Sequence, residues 1–433
     1  MTITAATKKT RLQQVAKMEV LGSSSFSSNI ASSSSSSSFN PWMDSRIWSR
    51  LPHRLLDRIL AFLPPPAFFR SRCVCKRWYS LLFSDSFLEM HLAVSPPLHW
   101  FLFFANSTPI PPTLYNSNTT TSAPTSQQPQ QAFFLDPAHS TWYRCSFHLL
   151  PPDFSPVSSS GGLVAWITDQ RGEKLLILYN PLSRAVAQLP TTQHPRICPS
   201  VGLAVGHSSL EVVVAGDDCF SPYAVRNLTA ECFHADAEVF FPAWVTNFPL
   251  PRLCSLDSGR MVFVGGRYYC MNYSPFNVIF YDPRTNEWQE IQAPMKRFLR
   301  SPSLVECRGR LLLVAAVAKS KLNVPKSVRL WALQACRQTW TEVGRMPREL
   351  YEQFAAVEDG RGFDCVGSGD FVAFTIRGAD EVLLFDFYRQ YWNWVPPCPY
   401  MAGSSGGRGR GRGWRAFAYE PRLATPALGL LDP

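Results

Sequence analysis

One unit of sequence recurs along the chain after residue 98, and it constrains the fold more than any other feature. Each copy is an apolar strand, a turn rich in Asp, Asn or Pro, and an aromatic or apolar residue that opens another strand. The clearest copy is VIFYDPRTNEWQEI at 278–291, and the weakest is YAVRNLTAECFHA at 223–235. The residues that open the second strand are Trp142, Val186, Phe233, Trp288, Trp340 and Trp392. Consecutive members of this set lie 44 to 55 residues apart.

This spacing predicts a β-propeller of six blades. Repeats of about 50 residues are typical of four-stranded kelch-type blades, and the pairs Gly161–Gly162 and Gly265–Gly266 precede two of the copies. The stretch 415–428 resembles a strand that returns to complete the first blade, which removes exposed sheet edges. We therefore expect an all-β propeller over 98–428, with flexible loops at 108–131 and 403–415. The alternative is an irregular β-sandwich in which only the turn chemistry repeats.

The segment 42–90 has helical periodicity instead. Apolar residues recur there at intervals of three to four positions, from Leu51 to Leu63, and make one apolar helical face. The prolines at 64–66 end this helix. A second stretch carries Val74 and Trp78 on its apolar side and Arg72 on the other, and Ser84 or Asp85 caps a third helix. Three short helices are too small for a stable core, so their apolar face must pack on the rest of the chain or on a partner.

The remaining composition excludes several classes of function. The 12 cysteines are scattered without any C-x-x-C pair, which speaks against a structural metal and for a reducing compartment. No apolar run is long enough for a membrane span. Residues 1–41, with a serine run at 32–38, are expected to form a disordered leader rather than an organelle signal. The G-x-S-x-G match at 403–407 lacks the flanking strand and helix of a nucleophile elbow. We therefore expect no enzyme and no cofactor.

Positive charge is concentrated in one part of the propeller sequence. The chain carries a formal net charge of +10, and between Lys296 and Arg329 nine basic residues stand against one acidic residue, Glu306. The predicted contacts to DNA or a protein partner are Lys296, Arg297, Arg300, Lys319, Lys321, Lys326 and Arg329. Asn323 and Pro325 favour an exposed loop between two strands, from which basic side chains reach phosphates. The alternative is a solvated basic loop. The Gly/Arg tract that ends at Arg415 is expected to be a loop without defined contacts.

The run IWSRLPHRLLDRILAFLPPPAFFRSRCVCKRWYSLL, beginning at Ile47, resembles an F-box. The family pattern is a Leu-Pro pair that opens a Leu/Ile helix, followed by a Cys-x-x-Trp-like element, here at 74–78. F-boxes dock a Skp-type adaptor and so connect a substrate-binding domain to a cullin ubiquitin ligase. The resemblance implies adaptor contacts through Leu51, Pro52, Leu55, Leu56, Ile59, Leu60, Leu63, Val74, Cys75 and Trp78. The alternative is a helical cap within the molecule. The predicted fold class is α+β multidomain, a three-helix F-box followed by the propeller.

A closer likeness extends from about Asn40 to Pro399. Segments such as NPWMDSRIWSRLP, AGDDCFSPYAVRNL, APMKRFLRSPSLVE and KSKLNVPKSVRLW resemble the plant Unusual Floral Organs/Fimbriata family. This resemblance implies a substrate receptor of an SCF ubiquitin ligase that also co-regulates the LEAFY transcription factor in floral patterning. The propeller would then contact both LEAFY and DNA, and the protein would act in the nucleus. The alternative is a receptor for degradation alone, with another substrate and a solvated basic loop.

Overall fold

The structure is a computed structural model that describes residues 50–105, 130–147, 150–151, 153–216, 229–239, 241–247, 250–251, 256, 260–273, 276–318, 325–334, 338–401 and 413–431. The chain divides into two compact units, Met1–Pro97 and Leu98–Pro433. Among the described helices, none has the length and apolar character needed to cross a membrane. The expected leader, and residues 42–49 of the predicted helical segment, lie outside the described residues.

From residue 50, where the description of the N-terminal unit begins, this unit contains four α-helices and one 3-10 turn. The helices are α1 His53–Ala61, α2 Pro65–Ser71, α3 Lys76–Ser80 and α4 Asp85–Val94, and the 3-10 turn is Leu81–Phe83. The sequence predicts three helices, and the additional one is α2. The prolines at 64–66 end α1 and also begin α2, because proline at a first helical position lacks only an N–H that has no partner there.

The break between α2 and α3 places Val74 outside any helix, so its assignment to a second helical stretch is wrong. Cys75 is instead the N-cap of α3, and its Sγ accepts a hydrogen bond from the backbone N–H of Trp78 at 3.4 Å. The predicted cap of the last helix is confirmed in position, since Ser84 immediately precedes α4. Aromatic stacking of Phe68 on Phe87, with ring centroids 5.4 Å apart, forms the centre of this unit.

The second unit contains six four-stranded antiparallel sheets, which confirms the six-bladed propeller. Blade 1 contains β1 Trp100–Ala105, β2 Gln130–Asp136 and β3 Thr141–Phe147, together with the last strand, β24 Trp414–Tyr419. Blade 2 contains β4 Phe154–Ser160, β5 Leu163–Thr168, β6 Leu176–Tyr179 and β7 Val186–Gln188. Blade 3 contains β8 Ser200–Val205, β9 Ser209–Ala215, β10 Ala230–Asp236 and β11 Trp244–Asn247.

The last three blades follow the same order. Blade 4 contains β12 Val262–Val264, β13 Arg267–Tyr273, β14 Phe276–Asp282 and β15 Glu287–Gln292. Blade 5 contains β16 Leu299–Cys307, β17 Arg310–Ala318, β18 Pro325–Gln334 and β19 Thr339–Arg345. Blade 6 contains β20 Phe363–Ser368, β21 Phe371–Ile376, β22 Val382–Asp386 and β23 Tyr391–Trp394. A helix, α5 Arg348–Glu358, connects blades 5 and 6, and two 3-10 turns span Pro399–Met401 and Pro426–Leu431.

The ring is closed by its last strand, as the sequence predicts. β24 pairs antiparallel with β1 from Trp100↔Tyr419 to Ala105↔Trp414, so blade 1 is built from both ends of the propeller sequence. Both predicted loops are too long at their C-terminal ends. Gln130–Gln131 belongs to β2, and Trp414–Arg415 belongs to β24. The rest of each loop lies outside the described residues, apart from Gly413.

The recurring residue, a tryptophan in four blades and Val186 in blade 2, marks the start of the outermost strand in five blades. In blade 3 the assignment to Phe233 is wrong, because Phe233 lies in β10 and pairs with Trp244, which opens β11. Tyr281 of blade 4 pairs with Trp288 in the same way, so Trp244 is the equivalent residue. Because the connection 237–243 between β10 and β11 has seven residues, the outermost strand of blade 3 begins later in the sequence than the repeat predicts.

Three of these tryptophans join neighbouring blades. The indole Nε1–H of Trp340 donates to Gln292 O at 2.9 Å, and that of Trp244 donates to Pro190 O at 2.7 Å. Across the ring closure, Trp142 donates to Pro396 O at 2.9 Å. Each carbonyl lies at or just after the end of the outermost strand of the preceding blade. The sequence repeat therefore encodes a contact between blades as well as a strand.

Strand direction defines two faces of the propeller. Because neighbouring strands are antiparallel, the innermost strand begins where the second strand ends, the third begins and the outermost ends. We call this side the upper face. It carries the connections between blades and the loops between second and third strands. The opposite side is called the lower face.

Candidate partner-binding surfaces

The helical unit exposes large apolar side chains that its own core does not cover. Leu55 on α1 is 44% exposed and Val74, between α2 and α3, is 67% exposed. The remaining exposed large apolar residues of this unit are Phe62, Tyr79 and Phe83. Singly exposed apolar residues are common, but several on one small unit indicate a surface that binds another molecule.

The structure divides the predicted adaptor contacts into three groups. Four are exposed: Pro52, Leu55, Val74 and Cys75. Five are half-buried: Leu51, Leu56, Ile59, Leu63 and Trp78. The tenth, Leu60, is 4% exposed and belongs to the core of the unit. Leu60 is therefore wrongly placed at the surface by the sequence, because helical periodicity alone does not distinguish the two edges of a wide apolar face.

Two arginines hold these helices in place. Arg77 on α3 forms a bidentate ion pair with Asp57 on α1, with Nη2 2.6 and 2.7 Å from the two carboxylate oxygens. Arg72 was expected on the polar side, and that expectation is wrong because it is 5% exposed. Its guanidinium donates to Tyr79 O at 2.9 and 3.0 Å and lies 4.5 Å from the Tyr79 ring centroid. Burial lowers the pKa of Arg72. The exposed apolar groups therefore stand on a framework fixed by these contacts.

The two basic segments of blade 5 come to the same end of one sheet. Lys296 and Arg297 occupy the turn before β16, and Arg300 is the second residue of that strand; all three are exposed. The backbone N–H of Ala318, where β17 ends, donates to Phe298 O at 2.9 Å. β17 therefore ends beside this turn, on the upper face, where Pro325 begins β18. Lys319 and Lys321 lie outside the described residues.

The C-terminal part of the predicted basic loop is a strand, which is a correction to the sequence prediction. Lys326 and Arg329 both belong to β18, because Pro325 begins the strand and does not extend the loop. The Arg329 side chain is 13% exposed, and its Nη1 donates to Glu342 Oε2 at 3.1 Å. A guanidinium that is paired with a neighbouring carboxylate attracts a phosphate only weakly, because the carboxylate offsets its positive charge. Arg329 is therefore a poor candidate for DNA contact.

Sequence reasoning missed a cavity in the middle of the propeller. Its volume is about 400 Å³, and its walls include Arg260, Arg377 and Arg415. Arg415 had been assigned to a loop without contacts, and its place in β24 puts it in this wall. No local pattern marks Arg260, which follows a connection between blades.

No arrangement for metal chemistry occurs in the described part of the chain, where no three His, Cys, Asp or Glu side chains could hold a metal ion. The discarded G-x-S-x-G match at 403–407 lies outside the described residues.

Comparison with known families agrees with this architecture. The family model of the F-box domain matches residues 48–90, and that of the KIB1-4 beta-propeller matches residues 134–351. The kelch assignment of the blades stays a prediction. F-box proteins are in general non-catalytic substrate adaptors of SCF complexes, and no catalytic family is indicated.

Curated relatives match the chain over nearly its whole length. The Arabidopsis thaliana protein UNUSUAL FLORAL ORGANS is 55% identical over 92% of this chain and 90% of its own. ABERRANT PANICLE ORGANIZATION 1 from Oryza sativa subsp. indica is 46% identical over 93% of this chain and 95% of its own. A more distant relative, SKP1-interacting partner 15 from Arabidopsis, is 25% identical over 83% of this chain. The chain therefore belongs to the family of F-box proteins with a β-propeller that includes UNUSUAL FLORAL ORGANS.

Proposed function

We propose that this protein is the substrate-recognition subunit of an SCF ubiquitin ligase and also a co-regulator of the LEAFY transcription factor in floral patterning. The helical unit binds a Skp-type adaptor and, through it, a cullin. The propeller binds LEAFY, and together with LEAFY it binds DNA. These roles place the protein in the nucleus.

The observation that carries the ligase role is the exposed apolar surface of the helical unit. Leu55 and Val74 are solvated in the isolated chain, although the surrounding helices are rigidly connected by the Arg77–Asp57 pair. Complete burial of a fully exposed side chain of this size is worth about 1.5–3 kcal/mol, and the partner gains the share that is still exposed, 44% for Leu55 and 67% for Val74. A Skp-type adaptor is the partner that F-box helices bind, and the family membership supports this choice.

Mixing the purified full-length chain with a Skp-type adaptor tests this role. Leu55→Asp places a charge in the proposed interface, so we expect adaptor affinity to fall at least about 100-fold. The matched control is Glu89→Gln, an exposed change on α4 that should leave affinity unaltered. Equal adaptor binding by Leu55→Asp and the control would exclude this surface as the docking site.

The co-regulator role is supported by the basic turn on the upper face. Lys296, Arg297 and Arg300 are exposed next to Ala318, the last residue of β17, and Lys319 and Lys321 follow it in the sequence. Each lysine or arginine that neutralises a phosphate releases counterions and makes binding sensitive to salt. Such contacts add affinity without reading sequence, so we assign choice of the DNA site to LEAFY.

A gel-shift titration with LEAFY and its DNA tests this second role. The variant Lys296→Ala/Arg297→Ala removes two charges from the upper face of blade 5. The control Arg308→Ala/Arg310→Ala removes two charges from the lower face of the same blade. We expect only the first variant to weaken the ternary complex, with the slope of log affinity against log salt reduced by about 1 per residue. If the two variants had the same affinity in the ternary complex and the same salt dependence, only the ligase role would remain supported.

Nuclear residence follows from the proposed partner. A fluorescent fusion of the full-length chain in plant cells should accumulate in the nucleus. Exclusion from the nucleus in cells that express LEAFY would contradict the co-regulator role while leaving the ligase role untouched.

A further inference from the structure

The central cavity opens towards the upper face of the propeller. Its walls come from the beginnings of innermost strands, such as Ser155, Ser200 and Asp364, and from the ends of second strands, such as Thr168 and Tyr273. All six blades contribute to this wall through their innermost or second strands, and the wall contains both polar and apolar side chains. At about 400 Å³ it has the size of a small-molecule or side-chain pocket. A duplex nucleic acid is far too wide to enter it.

Arg260 reaches across the channel. It precedes blade 4, and its guanidinium donates to Ala416 O in β24 of blade 1 and, at 2.9 Å, to Cys365 O in β20 of blade 6. Blades 4 and 1 are opposite one another in the ring. The guanidinium also lies 5.7 Å from the Phe417 ring centroid, and that of Arg415 lies 5.6 Å from the same ring. Two cations therefore flank one aromatic ring in the cavity wall.

Arg260 forms no direct ion pair among the residues that the structure describes, although the charge of Asp364 acts on it from nearby. A guanidinium has five N–H donors, and the two carbonyls satisfy two of them. No carboxylate lies within 4.0 Å of Arg260 among the residues that the structure describes. The nearby Asp364 is already held by Arg377, at 3.0 Å. Burial disfavours the charged form of Arg260 and lowers its pKa, while the charge of Asp364 acts in the opposite direction. An anion that entered the cavity would relieve this cost.

We propose that the upper end of the channel is a binding site for a carboxylate, carried by an acidic segment of a protein partner or by a free small acid. The carboxylate accepts hydrogen bonds from the remaining donors of Arg260, in a fork geometry that suits two oxygens. Asp169 and Asp364 also line the wall, so they oppose a ligand with many negative charges more strongly than one with a single carboxylate. This proposal rests on the proposed receptor role and extends it, because it identifies acidic groups as the chemical feature that a bound partner presents.

Fluorescence anisotropy of the full-length chain tests the site. The probes are a labelled Gly-Glu-Gly-Glu-Gly peptide and its Gln counterpart, with succinate and inorganic phosphate as competitors. We expect the Glu peptide to bind saturably and the Gln peptide not to bind. Arg260→Gln should weaken binding at least about tenfold, since it removes one partner of a desolvated charge pair. Lys296→Ala/Arg297→Ala should bind the peptide as the unaltered chain does, which separates this site from the proposed DNA surface.

Cysteine alkylation gives a test that needs no substitution. Cys198 lines the cavity and is exposed, whereas Cys73, also exposed, belongs to the N-terminal unit. Bound Glu peptide should slow the alkylation of Cys198 and leave Cys73 unchanged. Protection by succinate as well as by the peptide would identify free small acids as ligands, and protection by the peptide alone would identify an acidic protein segment. No protection of Cys198 by either, or displacement only by phosphate, would overturn the proposal, whatever the adaptor and DNA experiments show.

Discussion

A fully buried carboxylate, Glu231, organises the connection between blades 2 and 3. Its Oε2 accepts the backbone N–H of Gln193 at 2.7 Å, and its Oε1 accepts that of His194 at 3.0 Å. The His194 ring Nδ1 and Arg196 Nη2 each lie 3.0 Å from the same Oε1. Four groups on one connection thus converge on one side chain of β10. This connection continues into Cys198, which lines the central cavity.

Arg196 is as deeply buried as its partner, since neither side chain is exposed. Its Nη1 also donates to Gly216 O at 2.9 Å and to Thr229 O at 3.1 Å, and its Nη2 donates to the Thr229 hydroxyl at 3.0 Å. The arginine cannot turn out into water without losing these bonds. Removal of the carboxylate charge would therefore leave a buried cation without an anion.

Glu231→Gln makes this change with almost no change in volume. The amide places an NH₂ where one carboxylate oxygen stood, so one of the converging donors loses its acceptor, at about 1–3 kcal/mol. The loss of the charge adds to this, and breaking a buried pair costs about 3–5 kcal/mol in all. A propeller of this size should lose about 2 °C of Tm for each kcal/mol, or roughly 6–10 °C.

Urea denaturation followed by tryptophan fluorescence measures this loss. The matched control is Glu287→Gln on the exposed edge of β15, which should change the free energy of unfolding by less than about 0.5 kcal/mol. The double variant Arg196→Met/Glu231→Leu should recover part of the loss, because it removes both charges together. A Glu231→Gln variant destabilised by less than about 1 kcal/mol would show that water reaches the pair and would refute the reasoning.

Two further predictions concern the contacts between blades and the helical unit. Trp340→Phe removes the indole hydrogen bond to Gln292 O. The described residues show no such bond for Trp392, so Trp340→Phe should lower the free energy of unfolding by about 1 kcal/mol more than Trp392→Phe does. Equal urea midpoints for the two variants would contradict a role for the bond. Burial lowers the pKa of His91 to about 4, below its ordinary value, so the folded unit holds it neutral. Because the unfolded chain binds the proton first, stability is complete above pH 6.5 and falls towards pH 4, by about 2 kcal/mol at pH 5. The protection factors of the α4 amides, which are corrected for the intrinsic effect of pH on exchange, should therefore fall between pH 7 and pH 5 more than in His91→Leu, and an equal fall in both would exclude His91 as the cause.

Local chemistry explains why much of the helical unit and its surface was predictable. The Leu-Pro pair and the apolar spacing place Leu55 on an exposed face, and the cap position before α4 follows from Ser84. The burial of Leu60 and Arg72 was not predictable, because it depends on which neighbouring side chains pack over them in the folded unit. Arg72 is tolerated inside only because the Tyr79 carbonyl and ring receive its guanidinium.

In the propeller, the sequence by itself determined the number of blades and the closing strand. The apolar strand, the turn residues and the aromatic or apolar residue that opens the next strand are all features of segments shorter than one blade, and they recur from blade to blade. The tertiary structure alone decided which residues meet within a blade and across the ring. It put Trp244 rather than Phe233 at the blade edge, paired Arg329 with Glu342, and carried Arg260 across the channel to β20 and β24. These contacts join residues 13 to more than 150 positions apart. Hairpin register within a blade sets the first two contacts, and closure of the whole ring sets the partners of Arg260; no local pattern in the sequence encodes either.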